Sequence, residues 1–172
     1  MNSLPSLTPS AWITRFAPLI PASGGVLDLA CGQGRHARFL AGLGLAVEAV
    51  DRDEVALASL ASIPGVTVRC ADLEVGAWPY AGQRFAGIVV TRYLYRPLLP
   101  LLLDALAKGG VLLYETFMVG QERFGRPSNP DFLLRSQELL DLARAGGLRV
   151  LAYEEGEQPG PAMLQRLCAV RG

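Results

Sequence analysis

The chain has 172 residues, enough for one domain that buries about two thirds of its unfolded surface and too few for two of ordinary size. Lys plus Arg and Asp plus Glu both total 16, so no net field draws in polyanions or membrane surfaces, and nucleic acid is disfavoured as a partner. Cys31, Cys70 and Cys168 are odd in number and lie outside any C-x-x-C pattern, so neither a disulfide framework nor a zinc site is expected, and a reducing, cytoplasmic setting fits. In chain order, Met1 to Leu7 has no periodicity and is expected to fray. Thr8 or Ser10 caps a short helix with Trp12, Ile13 and Phe16 on one face, so residues 1–21 read as an N-terminal helical extension, packed on the sheet edge or closing over a ligand. Pro5, Pro9, Arg15, Pro18 and Pro21 interrupt any leader-like apolar core, and Leu98 to Ala107 is far short of a span, so a soluble protein is expected.

Val26 to Ala30 is a nearly continuous apolar run, as in a central strand buried on both faces. A turn at Gly32 and Gly34 leads to a helix from about Arg35 to Leu43, closed by Gly44, and Ala46 to Val50 is the neighbouring strand with Asp51 at its end. Asp53 caps a helix through Ala61, and Val66 to Cys70 is the third strand. Leu73 to Arg84 holds Gly76, Pro79 and Gly82, so the next helix is short or missing, with Trp78 and Tyr80 as packed aromatics. Phe85 to Thr91 is the fourth strand, with Tyr93, Tyr95 and Arg96 beyond it. A helix then runs from about Leu98 or Pro100 to Lys108. Val111 to Phe117 is the fifth strand, and Met118 to Leu134 is too long for a plain connection. Ser136 caps a helix through Ala145. Leu148 to Tyr153 is a strand, Glu154 to Pro161 a polar connection, and Met163 to Val170 the last strand, antiparallel to its neighbours.

The glycine turn carries the first functional signal. Gly32, Gly34 and Ala37 formally match the dinucleotide fingerprint G-x-G-x-x-G/A, with an acid about 20 residues on. Asp28, inside the first strand, separates two cofactor classes: its carboxylate would repel a pyrophosphate but suits the ammonium of an amino acid. That favours S-adenosylmethionine (SAM), which has no phosphate.

With Asp28, Gly32 and Gly34 in the form (D/E)-x-x-x-G-x-G, then Asp51, then Asp72 in Cys70-Ala71-Asp72-Leu73, the chain resembles the class I SAM-dependent methyltransferases over about residues 22–119. Within that family it looks most similar to small bacterial enzymes of the tellurite-resistance type. The resemblance implies a single Rossmann-like, doubly wound α/β domain over 1–172, with strand order 3-2-1-4-5-7-6, the last strand antiparallel, and no substrate domain. It also implies SAM as cofactor, S-adenosyl-L-homocysteine as product, and cofactor contacts from Asp28, Ala30, Gly32, Gly34, Asp51, Arg52, Ala71, Asp72, Leu73 and Thr91. A small-molecule acceptor is expected, with a monomer or homodimer, no metal and no membrane. The alternatives are a non-catalytic SAM-binding regulatory module and a nicotinamide-dependent oxidoreductase. The motif Asn/Asp-Pro-Pro-Tyr/Phe of many amino-group methylases is replaced by Thr91-Arg92-Tyr93-Leu94.

If the acceptor needs a base, Glu115 is the first choice and Tyr93 the second. His36, the only histidine, lies in the first turn of its helix and reads as a packing, capping or cofactor-side residue ahead of a proton carrier. Arg35 is placed to pair with the SAM carboxylate. Arg123, Arg126 and Arg135 either pair with Glu122, Asp131 and Glu138 or recognise an anionic acceptor. Met118 to Leu134 is expected to be a lid on the acceptor side.

Overall fold

The computed structural model describes residues 6–172, so most of the segment expected to fray lies outside the described residues. One sheet holds seven strands: β1 (Gly25–Leu29), β2 (Ala46–Asp51), β3 (Val66–Cys70), β4 (Phe85–Thr91), β5 (Leu106–Phe117), β6 (Leu148–Gln158) and β7 (Ala162–Arg171). Their order is β3-β2-β1-β4-β5-β7-β6. The first five run parallel, and β7 is antiparallel to both β5 and β6, as the expected fold requires.

Sequence pattern explains the layering. All of β4 except its last residue is buried, and four of five β1 residues are, as expected for central parallel strands covered on both faces. On one face the core is Trp12, Ile13, Val26, Ala37, Leu40, Leu57 and Leu60, contributed by β1, α1 (Ala11–Phe16), α2 (Arg35–Gly42), α3 (Glu54–Ala58) and the turn after it. On the other it is Leu27, Leu29, Leu99, Leu102, Leu139 and Ala143, where α4 (Leu99–Ala105) and α5 (Glu138–Ala145) pack. Strand alternation turns Asp28 toward the α2 side with Val26, so its carboxyl lies under the first turn of that helix. The direction in which successive strands are added across the sheet reverses between β1 and β4: the chain leads from β1 outward to β2 and β3, and from β4 outward to β5. In such sheets the crevice at the carboxyl ends of those two strands is the natural ligand site.

Several boundaries differ from expectation for local reasons. β1 stops at Leu29 because Ala30 takes a left-handed φ of 52°. α4 ends at Ala105, and Leu106 already pairs with Phe85 before the irregularity that leads to Gly87, so β5 starts earlier than its apolar run. Ser136 does not cap α5. Its hydroxyl donates to Glu155 Oε1 at 2.6 Å, while Gln137, at φ 62°, precedes the helix and Glu138 Oε2 accepts from the Arg135 amide at 2.7 Å. β6 runs through Gln158, and its pairing with β7 extends to Gln158↔Ala162, so most of the polar Glu154 to Pro161 stretch is strand.

α1 is tied to the sheet by Trp12, which is 4% exposed and whose indole N–H donates to the Leu167 carbonyl at 3.2 Å. Ser10 caps the helix by accepting from the Trp12 amide. No helix of the described residues is long and apolar enough to cross a membrane. Trp12→Ala would open a cavity and strip the Leu167 carbonyl of its donor, so unfolding in denaturant should show a loss of about 3 to 5 kcal/mol. A loss below about 1 kcal/mol would mean that α1 is not an integral part of the core.

Candidate functional site

Two cavities at the carboxyl ends of β1, β2, β3 and β4 share Ala30 as a common wall. The first, about 270 Å³, is lined by Ala30, Asp51, Arg52, Ala71, Asp72, Leu73, Glu74, Tyr93 and Phe132. The second, about 360 Å³, is lined by Ser6, Leu7, Ala30, Cys31, Gly32, Gln33, Gly34, Arg35, Thr91 and Arg92. Together they gather nine of the ten residues expected from the sequence to touch a cofactor. The tenth, Asp28, lies beneath the turn and lines neither.

The turn has its shape for steric reasons. Gly34 has φ 72°, and a Cβ there would come within 2.4 Å of Leu60. Gly32 has φ 54°, and a Cβ there would meet no other group within 4 Å, because the space beside it is the cleft. Only glycine takes these dihedrals without cost. Ala30 and Arg92, both at φ 52°, follow the ends of the adjacent strands β1 and β4. Non-glycine residues held in this region concentrate at ligand sites. Asp51 closes the turn from the next strand: its Oδ2 accepts from the Gly32 amide at 2.8 Å and its Oδ1 from the Asp53 amide at 3.0 Å.

Asp28 is 1% exposed, and its Oδ2 has no hydrogen-bond partner among the described residues. Burial raises its carboxyl from 3.8 to about 7; the Ala37 amide and Arg35 pull it down, and Asp51 pushes it up. A buried, unpartnered carboxyl oxygen costs free energy unless a donor arrives, so this atom marks where a cation or N–H donor fits. Asp72 lies across the first cavity, accepting from the Glu74 amide at 3.0 Å, with the Arg52 guanidinium 4.0 Å away in an exposed pair.

The two base candidates stand in different surroundings. Glu115 is 4% exposed, receives Arg166 Nε at 2.6 Å, and lines none of the cavities. It is one end of a row across β5, β7 and β6 whose centre, Arg166, also meets Glu154 and Gln158. Tyr93 does line the cleft, but burial and the nearby Glu74 carboxylate, to which it donates at 3.3 Å, push its phenol up, away from the phenolate a base requires.

His36 proves to be a packing residue. It is 2% exposed, with its Nε2 3.0 Å from the Ser10 amide and its Nδ1 3.2 Å from Thr91 Oγ1. A backbone amide only donates, so Nε2 carries no proton; the ring is neutral, with Nδ1–H donating to Thr91. This ties the N-terminal segment to α2 and to the end of β4. Glu74, Arg92 and Phe132 also line the cavities and were not singled out by the sequence. Arg92 carries one signal, its place directly after a central strand. Phe132 lies in a loop with no periodicity to read.

The loop after β5 closes on itself through a Met118↔Leu134 bridge, and two short 3₁₀ turns, Gln121–Arg123 and Pro130–Phe132, shape it. Arg96 holds it to the body by donating to the Asp131 and Leu133 carbonyls at 2.9 Å each and to Glu138. Two further cavities of about 260 and 550 Å³ open between this loop and the ends of β4 and β5, with Arg92, Phe117, Pro127 and Phe132 lining both. Of the loop arginines, Arg135 pairs with Glu138 at 3.6 Å, Arg123 folds back onto the Gly120 carbonyl and the Phe124 ring, and Arg126 faces the larger cavity.

Burial lowers the His36 pKa from 6.5 to about 3, helped by Arg35 and Arg92. A histidine whose folded pKa is depressed contributes stability that is full above its unfolded pKa and falls as pH drops below it. Between pH 7 and pH 5 the wild type should therefore lose about 2 kcal/mol relative to His36→Gln, which cannot titrate. Parallel pH dependence of the two proteins in denaturant unfolding would refute the buried neutral state.

The fold is shared with TehB from Haemophilus influenzae (20% identity, TM-score 0.75, 95% of this chain and 63% of that one). It is shared with an S-adenosylmethionine-dependent methyltransferase from Mesorhizobium loti (20% identity, TM-score 0.71, 96% of this chain and 100% of that one). A third structure, the glycopeptide N-methyltransferase MtfA complexed with S-adenosyl-L-homocysteine, gives 21% identity and a TM-score of 0.65 over 93% of this chain and 88% of that one. At these identities the likeness is one of fold, and the chain spans less than two thirds of the length of TehB. No curated protein matches the chain. Over residues 26–110, just under half its length and the stretch that holds β1 to β4 and the glycine turn, the chain matches the family model of a methyltransferase domain.

Proposed function

We propose that the protein is a SAM-dependent methyltransferase of a small-molecule acceptor, and that the two cavities sharing Ala30 hold the cofactor. The observation that carries this is the orphaned Asp28 Oδ2 under the glycine turn. An α-ammonium supplies the donor that atom lacks, whereas a pyrophosphate would bring it only acceptors and like charge. The methyltransferase match over 26–110 and the shared fold support the same reading. Motif order aligns the chain with the small tellurite-resistance-type enzymes, and the fold likeness to TehB is in keeping with that. Three free thiols are in keeping with a cytoplasmic setting.

Each residue then has a task. Asp28 takes the ammonium. Arg35, at the start of α2, faces the second cavity and pairs with the carboxylate, and the α2 N-terminus favours negative charge at the same spot. Asp51 has lone pairs to spare beyond its two backbone bonds and accepts from the ribose hydroxyls. Asp72, Ala71, Leu73 and Arg52 bracket the adenine end. Thr91 accepts from His36, so its own hydroxyl proton is free to donate into the second cavity. The bound cofactor supplies an electrophilic methyl on a sulfonium. The loop 118–134 keeps water from the outer cavities, and positioning of an acceptor there can supply roughly 7 to 11 kcal/mol of the barrier.

Calorimetry with S-adenosyl-L-homocysteine tests this directly, with NADH as the control. Micromolar binding of NADH without response to the homocysteine compound would overturn the assignment. Asp51→Ala removes a charged acceptor and also frees the Gly32 amide, so affinity should fall by about 10-fold to 100-fold. An unchanged dissociation constant in a folded variant would remove Asp51 from the site.

A carboxyl raised to about 7 must ionise to pair with an ammonium, so affinity should rise with pH. Between pH 6 and pH 7.5 the gain should approach about 10-fold in the wild type and vanish in Asp28→Asn. An equal pH dependence in both proteins would show that Asp28 does not meet the ligand.

A further inference from the structure

Two arginines at the mouth of the cleft face cavities rather than acids. Arg92 lines the second cleft cavity and both outer ones, so its side chain stands at the junction that a transferred group must cross. Its left-handed backbone is held by the Arg92 amide donating to the Glu115 carbonyl at 2.9 Å, and its guanidinium sits 5.6 Å from the centre of the Phe117 ring. Arg126 lines the larger outer cavity from the loop side. Neither arginine has a carboxylate within ion-pair distance among the described residues, and residues 1–5 contain no acid. Arg96 and Arg135, close by in sequence to these two, share Glu138. The remaining walls combine flat apolar surface, from Phe117, Phe132 and Pro127, with the hydrogen-bonding side chains of Ser128 and Asn129.

The surrounding groups also limit the chemistry. Glu115 is locked to Arg166, the Tyr93 phenol is pushed up, and both nitrogens of His36 are engaged away from the outer cavities. Glu74 is the one carboxylate that lines an outer cavity, and it is exposed and accepts from Tyr93. An acceptor that must lose a proton therefore finds no placed base, whereas an acceptor that arrives as an anion needs none.

Resting on the methyltransferase reading above, we infer that the acceptor is an organic carboxylate with a flat apolar body, held by Arg92 and Arg126 and methylated on its own oxygen. A carboxylate lone pair forms the new O–CH₃ bond as the S–CH₃ bond breaks, and that electron pair returns to sulfur. A sulfonium and a carboxylate become a neutral thioether and a neutral ester, and no proton moves. Guanidinium forks match carboxylates in bidentate geometry, and the two oxygens of the acceptor allow one to stay bound while the other reacts. The apolar body lies against Phe117 and Phe132, where an aromatic ring gains both burial and stacking.

The test uses the full chain saturated with S-adenosyl-L-homocysteine, titrated with benzoate, phenylacetate and 3-phenylpropionate, each beside its amide, and with benzylamine. At least one carboxylate should bind about 10-fold or more tighter than its amide, the difference expected of a charge-assisted pair. Arg126→Ala, and Arg92→Asn, in which asparagine tolerates the left-handed backbone, should each erase most of that preference. Glu74→Gln should leave it in place. With SAM, the preferred carboxylate should gain one methyl as an ester that mild alkali releases as methanol. Binding of S-adenosyl-L-homocysteine without any carboxylate preference, or tighter binding of benzylamine, would overturn the acceptor class while leaving the methyltransferase reading intact. A preference that survives both arginine substitutions, or methyl transfer that is lost in Glu74→Gln while the variant remains saturated with SAM, would overturn it as well. Failure to bind S-adenosyl-L-homocysteine at all would remove both readings together.

Discussion

The hydrogen bond from the Gly32 amide to Asp51 Oδ2, 2.8 Å long, is the contact on which the site depends. β1 and β2 are adjacent parallel strands, and their ends alone do not determine the path of the chain that leaves β1. Asp51 does so by pulling the first residue of the turn toward the end of β2, while its other oxygen holds the Asp53 amide that precedes α3. With the turn so held, Ala30 is confined to its left-handed backbone, Gly34 lies against Leu60, and α2 starts directly over Asp28. The same carboxylate thus builds the turn and lines the first cavity.

A second constraint comes from the N-terminus. His36 accepts from the Ser10 amide and donates to Thr91, so the segment before α1, the first turn of α2 and the end of β4 meet at one buried ring. Ser6 and Leu7 line the second cavity because of that attachment. What composition alone presents as an extension of uncertain placement is therefore one wall of the cleft.

The five parallel strands and the glycine turn are legible because each is encoded locally, whereas the strand order and the antiparallel last strand follow from the family resemblance that those local motifs carry. Glycines with positive φ, acids at strand ends and uninterrupted apolar runs report directly on backbone path. Residues whose role depends on partners distant in sequence were harder to read. Glu115 sits at a strand end like a site residue, but its partner Arg166 is 51 residues away and meets it only once β7 inserts beside β5. Ser136 looks like a cap, yet Glu155 claims its hydroxyl across the sheet edge. The outer half of β6 reads as a loop in the sequence because its side chains are polar on both faces, and a hairpin held by backbone ladders requires no apolar alternation.

That outer half of the β6–β7 hairpin runs past the end of β5, where Phe117 pairs with Leu164, and continues through Met163. There it takes hold of the loop: the Met118 amide donates to the Met163 carbonyl at 3.1 Å, and the Met163 amide donates to Gln121 Oε1 at 2.9 Å. Gln121 is buried and also reaches the Arg126 carbonyl. The height of the roof over the outer cavities is thus set by the length of a hairpin at the far edge of the sheet. Because strand faces alternate, that length changes in steps of two residues, roughly 7 Å each. Among chains built on this frame, hairpin length would act as a coarse gauge of the room beneath that roof, adjusted without touching any residue that lines the two cavities sharing Ala30.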